Sequence, residues 1–168
     1  MKHFETWFSH SNLIINTEKT RAMVFHFNKT CNLGRPTIVL NNVEINYTSE
    51  VKFSGINISN NLKWNAHIQF ACSKLNKAFS TIASLRGDLI LFMLRNIYFE
   101  KYHSVFGYGT ILWCGEMECV MVLMIQKRAL HSVKGLHNRQ SSRQIFKKLQ
   151  ILTLTALYQY ISLRCWAT

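Results

Sequence analysis

Aspartate is nearly missing from this chain: Asp88 stands alone beside seven glutamates scattered between Glu5 and Glu118. Two-metal phosphoryl chemistry needs at least two carboxylates close enough to hold a pair of Mg²⁺ ions, and glycoside chemistry needs two facing carboxyl groups. No recognisable motif supplies either pair. Asp88 falls where a helix is expected to start, which makes it an N-cap candidate. Proline occurs once, at Pro36, and glycine seven times. No low-complexity linker or internal repeat is present, so one folding unit is expected, an incomplete one. A glycine-rich phosphate loop and a G-x-S-x-G elbow are both missing.

Acid is also missing from the whole C-terminal third. After Glu118 no carboxylate side chain occurs, while eight basic residues run from Lys127 to Arg164. Residues 1–60 hold six basic and four acidic side chains, and residues 61–168 hold fourteen and four. That polarity suits a polyanion such as nucleic acid. The alternative is a set of solvated helix faces. The five cysteines, Cys31, Cys72, Cys114, Cys119 and Cys165, are odd in number and irregularly spaced. They read as reduced thiols of a nuclear or cytoplasmic protein. MKHFETWFSH lacks the apolar core of a secretory signal. The most apolar stretch, Val105 to Ile125, carries Glu116 and Glu118, so no membrane span is expected.

What is present is 48% hydrophobic residues with 17% charged, a globular composition whose periodicity changes along the chain. Up to about residue 60 it is strand-like. Met23, Phe25 and Phe27 alternate with Val24 and His26, and Asn41-Asn42 lies between two β-rich runs where a two-residue hairpin turn fits. In VKFSGINI the apolar parity switches between Val51/Phe53 and Ile56/Ile58, which makes Ser54-Gly55 a candidate bulge or sharp bend. From Trp64 the period becomes helical. Ile68, Cys72, Leu75, Phe79, Ile82 and Leu85 form one stripe ending near Gly87. Asp88 then caps a helix through Leu89, Phe92, Ile97 and Tyr98. Further helices are expected over Met117–Lys134, closed by Gly135, from the capping box at Ser141-Ser142-Arg143-Gln144, and over Thr153–Cys165. The expected fold is α+β: a small antiparallel sheet with a hairpin, about 20–60, then a helical bundle, about 64–166.

Three constellations have chemical readings. Cys114, Cys119, His131 and His137 have the spacing C-x4-C-x11-H-x5-H, near a two-Cys, two-His zinc pattern, but VMVLMIQKRAL between them reads as unbroken helix with a buried face. Cys-His catalysis finds no protease signature. Arg95, Tyr98, Lys101, Tyr102 and His103 interleave aromatics with cations, which suits base stacking and phosphate contact. One packed and one solvated helix face explains them equally.

Taken in order, Trp7-Phe8, Asn12-Leu13, Asn16, Lys19-Thr20, Met23 and Phe25 resemble the stretch that follows the catalytic turn in reverse transcriptases of jockey-like non-LTR retrotransposons. There a helix ending in Trp-Phe precedes N-x-L-x-L-N-x-x-K-T-x-x-M-x-F. Val51 to Ser59 resembles that family's next strand, V-K-F-L-G-V-x-I-D, and Leu62, Trp64, His67 and Ile68 its Leu-x-Trp-x-x-His-Ile. YGTILWCG (Tyr108 to Gly115), IQKRALHSV (Ile125 to Val133) and HNRQSSRQIFKKLQILTLTALY (His137 to Tyr158) resemble its thumb and trailing helices.

The resemblance implies the palm end (1–60) and thumb (61–168) of an RNA-directed DNA polymerase, a nucleotidyltransferase of a transposable element. It implies Mg²⁺ for the intact enzyme, none of it bound by this chain, and RNA and DNA as partners. Lys19 matches a lysine that meets nucleotide phosphates; the alternative is a solvated strand-edge lysine. Lys52, Phe53 and Gly55 match a primer-gripping hairpin. Lys127, Arg128, Lys134, Arg139, Arg143, Lys147 and Lys148 would track backbone phosphates. Ser54 and Ser59 depart from the family's apolar residue and aspartate. The aspartate-bearing turn and the fingers are expected before Met1 or nowhere, as in a truncated element copy, so no polymerisation by this chain alone is expected. The other expectations are a non-catalytic nucleic-acid-binding module, or a helical interaction module whose exposed half-core seeks the missing palm and fingers or a second copy.

Overall fold

The structure, a computed structural model, describes residues 2–26, 34–85, 87, 89–115, 117, 119–134 and 142–166. The chain divides into two compact units, Met1–Lys63 and Trp64–Thr168. The fold is α+β, with two small antiparallel two-stranded sheets and a set of helices.

In the first unit, helix α1 (Lys2–His10) carries Trp7 and Phe8 in its last turn. Strands β1 (Val39–Leu40) and β2 (Val43–Glu44) pair with Leu40 opposite Val43. Asn41 and Asn42 join them with φ of 49° and 60°, the positive pair of a type I′ turn that asparagine tolerates. Strands β3 (Glu50–Phe53) and β4 (Ile56–Ser59) pair as Val51 with Ile58 and Phe53 with Ile56.

Ser54-Gly55 is therefore neither a bulge nor a bend within one strand. It is the whole two-residue turn, with φ of 47° and 87°. Residues facing each other across such a turn lie on the same side of the ribbon, and that pairing switches the parity of the apolar residues. The strand expected around Met23–Phe27 is also corrected. Ala22 makes an isolated parallel bridge with Tyr47, His26 donates its N–H to the Asn60 carbonyl at 3.1 Å, and residues 23–25 have no ladder. Alternation gave these residues strand character, but a ladder also needs a neighbour along its length. Phe27 lies outside the described residues. Buried apolar side chains among the described residues of this unit are Leu40, Ile45 and Ile56, too few to offset the ordering of some sixty residues.

The second unit holds a continuous core. Helix α2 (Asn65–Leu85) buries His67, Ile68, Ala71, Leu75, Ala78 and Ile82. Of the expected stripe Ile68, Leu75 and Ile82 are buried, while Cys72, Phe79 and Leu85 are half-buried at its edge, packed against the core. Helix α3 (Leu91–Tyr98) runs without a break through a π-helical turn (Phe99–His103) into α4 (Ser104–Gly107). Residues four apart on a regular helix drift by about 40° per step; the wider π turn absorbs that drift. Tyr98, Tyr102 and Phe106 accordingly all face inward, each 1% exposed or less. The N-cap of α3 is Ile90, with no side-chain cap, so Leu89 precedes the helix instead of opening it. Asp88 lies outside the described residues.

Helix α5 (Thr110–Trp113) starts after Gly109 at φ 67° and seats the buried Trp113. Helices α6 (Cys119–Lys134), α7 (Ser142–Leu149) and α8 (Leu154–Trp166) complete the unit. Thr153 caps α8 by accepting the Ala156 N–H at 3.2 Å. Gly135 and Ser141 lie outside the described residues.

The centre of this core is polar at one point. Gln126 on α6 is fully buried and its amide is used on both sides. Nε2 donates to the Tyr98 hydroxyl at 2.8 Å and to the Leu152 carbonyl at 2.9 Å, while Oε1 accepts the Leu154 N–H at 3.0 Å. One side chain thus ties α3 and the start of α8 to α6. Tyr98 stacks on Tyr102 at 4.9 Å, and Tyr102 donates to the Leu75 carbonyl at 3.0 Å. Burial raises both phenols well above their ordinary range, opposed at Tyr98 by the Gln126 bond.

Candidate nucleic-acid interface

On α7, Arg143 and Lys147 are four residues apart, one above the other on a single face. That face meets Lys127 of α6 across a groove of about 580 Å³ between α6, α7 and the start of α8. The rim is cationic and the lining largely apolar: Phe146, Ile151, Leu152 and Ala156, with Ser142, Gln150 and Thr153 supplying polar groups. No carboxylate is among the lining residues, as a stretch without acid after Glu118 requires. Three ammonium and guanidinium groups therefore share one solvated rim without a neutralising partner in it, a local field that favours a polyanion.

The helical repeat separates these residues from their neighbours in sequence. Arg128 is one position, about 100°, from Lys127. Its guanidinium lies 5.0 Å over the Phe79 ring, so it is engaged in a cation–π contact with α2. Lys148 is exposed on α7 but does not line the groove. The side chain of Lys134 and all of Arg139 lie outside the described residues. Of the seven basic residues expected to track phosphates, the structure thus gathers Lys127, Arg143 and Lys147.

The aromatic and basic run on α3 resolves toward packing. Tyr98 and Tyr102 are core residues, and Arg95 donates Nε to the Leu149 carbonyl at 2.7 Å, closing the C-terminal end of α7, while its guanidinium lies 4.6 Å over Phe99. Base stacking on these tyrosines is ruled out by their burial. Lys101 pairs with Glu100 at 2.7 Å on the exposed side.

The residues behind the resemblance have local structural reasons. Asn16 Oδ1 accepts the Lys19 N–H at 3.0 Å, and the Asn16 carbonyl accepts both the N–H and the Oγ1 of Thr20. The N-x-x-K-T spacing is a self-contained turn capped by the Asn16 side chain that presents Lys19 to solvent, not to a strand edge. At the β3–β4 turn Phe53 is 68% exposed beside Gly55, and Lys52 occupies the other face of the strand. Ser59, at the aspartate position, is buried and donates to the Lys63 carbonyl at 2.6 Å. His67 packs between Trp64 and Trp113, with ring centroids 6.4 and 5.5 Å away, so LKWNAHI and YGTILWCG meet in one aromatic cluster. Burial, with Lys74 nearby, holds the His67 imidazole below its ordinary pKa and thus neutral.

The four-ligand zinc pattern does not assemble. Cys119 and His131 lie at opposite ends of α6, twelve residues or about 18 Å apart along one helix, and His137 is outside the described residues. A pair of Mg²⁺ ions finds no donor set among the described residues either. Among the described residues no three His, Cys, Asp or Glu side chains converge, Glu5 accepts the Asn41 N–H, and Glu100 is paired. We assign no metal-dependent step to these residues. No helix among the described residues is long and apolar enough to cross a membrane.

Comparison with protein-family models, curated proteins and solved structures finds no match for the chain. Sequence reasoning missed Gln126 and the groove floor. A lone glutamine on the buried face of α6, between Val122 and Ala129-Leu130, was the available signal for the first.

Proposed function

We propose that the chain is the palm end and thumb of an RNA-directed DNA polymerase of the jockey-like non-LTR type, and that its own contribution is to hold nucleic acid by the phosphate backbone. The observation that carries the second half is the groove rimmed by Lys127, Arg143 and Lys147 with no acid in its lining. The first half rests on the ordered resemblance, supported by the Asn16-capped turn under Lys19 and the tight hairpin that exposes Phe53 beside Gly55. Lys19 needs a metal-held triphosphate to act on, and among the described residues no carboxylates converge to hold one.

Primer extension tests the division of labour. With a primed RNA template, deoxynucleotides and Mg²⁺ or Mn²⁺, the purified chain is expected to bind the template and add no nucleotide. Incorporation above a no-protein control overturns it.

The exposed apolar side chains of the first unit favour a second reading alongside this one. Trp7 is 60% and Ile14 97% exposed, in a unit with only three buried apolar residues among those described. Such a half-core completes itself against the rest of a palm or a second copy. Light scattering after size exclusion is expected to report oligomers that dissociate when Trp7 and Ile14 are changed to serine. A monomer at all concentrations counts against it.

A further inference from the structure

We propose that Cys114 and Cys119 form a thiol–disulfide exchange site for low-molecular-mass disulfides, closing a reversible covalent loop between α5 and α6. Their Sγ atoms lie 2.8 Å apart, in hydrogen-bond contact, with both thiols free. A covalent bond at about 2.05 Å needs less than 1 Å of further approach. Regular structure holds both ends. Cys114 is the C-cap of α5, with its N–H on the Thr110 carbonyl at 2.9 Å, and Cys119 is the first residue of α6. Only four residues separate them.

The two thiols are unequal. Cys114 is half-buried and reachable from solvent, whereas Cys119 is 6% exposed. The contact between them is a hydrogen bond in which either sulfur can donate; it draws the Cys114 thiol below its ordinary pKa against the opposing effect of burial. The same bond raises Cys119, and burial adds to the rise. A reagent disulfide reaches the more exposed Cys114 first, so the outer thiol is the attacking one and the buried Cys119 the resolving one.

With oxidised glutathione as the co-reactant, the steps balance. The Cys114 thiolate attacks one sulfur of the reagent; a mixed disulfide forms and glutathione thiolate leaves with an electron pair. Cys119 gives up its proton and attacks Cys114 Sγ, releasing the second glutathione. Two cysteine thiols are oxidised to one disulfide and one reagent disulfide is reduced to two thiols. Excess reduced glutathione reverses the sequence. The pair is what remains of the zinc-like spacing once His131 is placed at the far end of α6.

The test uses the full chain, native and reduced. After exposure to oxidised glutathione, acid quench and alkylation, trypsin releases residues 102–127, which contain these two cysteines and no other. That peptide is expected to escape alkylation and to be lighter by two hydrogens, with its mass restored by reductant. Cys119→Ser is expected to trap a stable glutathione adduct on Cys114, and Cys114→Ser to leave Cys119 nearly unreacted. Should either variant fail to fold, the wild-type rate in urea replaces it: the internal bond is expected to form roughly tenfold more slowly once the fold no longer holds the sulfurs together. A native peptide that alkylates at both cysteines, an adduct that persists on the wild type, or an equal rate in urea overturns the proposal.

Discussion

Replacing Gln126 with leucine is expected to lower the unfolding free energy of the helical unit by about 3 kcal/mol, although the two side chains are similar in size. The substitution favours the core on hydrophobicity alone. Its cost comes from the groups left behind: the Leu154 N–H, the Leu152 carbonyl and the Tyr98 hydroxyl all lose their partner inside the protein. Each unsatisfied buried group costs about 1–3 kcal/mol. For a unit of this size the loss corresponds to a fall of about 15 °C in Tm, followed by helical circular dichroism. Tyr98→Phe deletes one of the three contacts and is expected to cost about 1 kcal/mol. Equal effects from the two variants would mean that the Tyr98 contact carries the whole cost and the bonds to Leu152 and Leu154 none. An unchanged Tm for Gln126→Leu would mean that its network is not formed.

Changing Lys127, Arg143 and Lys147 together to glutamine is expected to weaken binding of a single-stranded polynucleotide roughly 100-fold at low salt. The estimate takes about 1 kcal/mol for each solvated cation–phosphate contact. Arg128→Gln is the informative contrast. It stands beside Lys127 in sequence, but its guanidinium is committed to the Phe79 ring, so it is expected to lower stability by about 0.5–1 kcal/mol and leave affinity near the wild type. If Arg128→Gln weakened binding as much as the triple change did, affinity would follow net charge and the groove would have no special part in it. Fluorescence anisotropy with a labelled oligonucleotide reads both variants.

How far the sequence revealed this arrangement depends on how local each determinant is. The centre of the α2 stripe, Ile68, Leu75 and Ile82, was legible because a single period of 3.6 over 21 residues decides the buried face, whereas the small Ala71 and Ala78 take the central places given to Cys72 and Phe79. The Asn41-Asn42 turn was legible because two adjacent residues that tolerate positive φ suffice for it. Ser54-Gly55 was located but misread: a parity switch follows from a hairpin as well as from a bulge, and only the pairing of Phe53 with Ile56 separates them. Residues 23–25 were read as a strand because alternation reports side-chain pattern and says nothing of whether a neighbour is there to pair with.

The basic residues were legible as a list and not as a site. Charge along the C-terminal third is plain from composition, whereas the division of Lys127 from Arg128 is set by a 100° step on α6 and by what α2 places beneath it. Burial of Tyr98 and Tyr102 depended on the π turn at 99–103, for which FEKYH carries no known local signature. Gln126 shows the same limit from the other side. Its partners lie 26 and 28 residues away, beyond any pattern within one helix.

The central claim is that the helical unit grips nucleic acid through phosphates at the α6–α7 groove. Its most direct test is the salt dependence of binding to a single-stranded polynucleotide, measured on the wild type and on the triple glutamine variant. Neutralising three phosphates predicts that log Kd changes with log salt with a slope of magnitude about 2 from the groove alone. The account predicts that the wild type shows at least that slope and that the variant loses about two units of it. Wild-type binding indifferent to salt, or a variant that keeps the full wild-type slope, would contradict it.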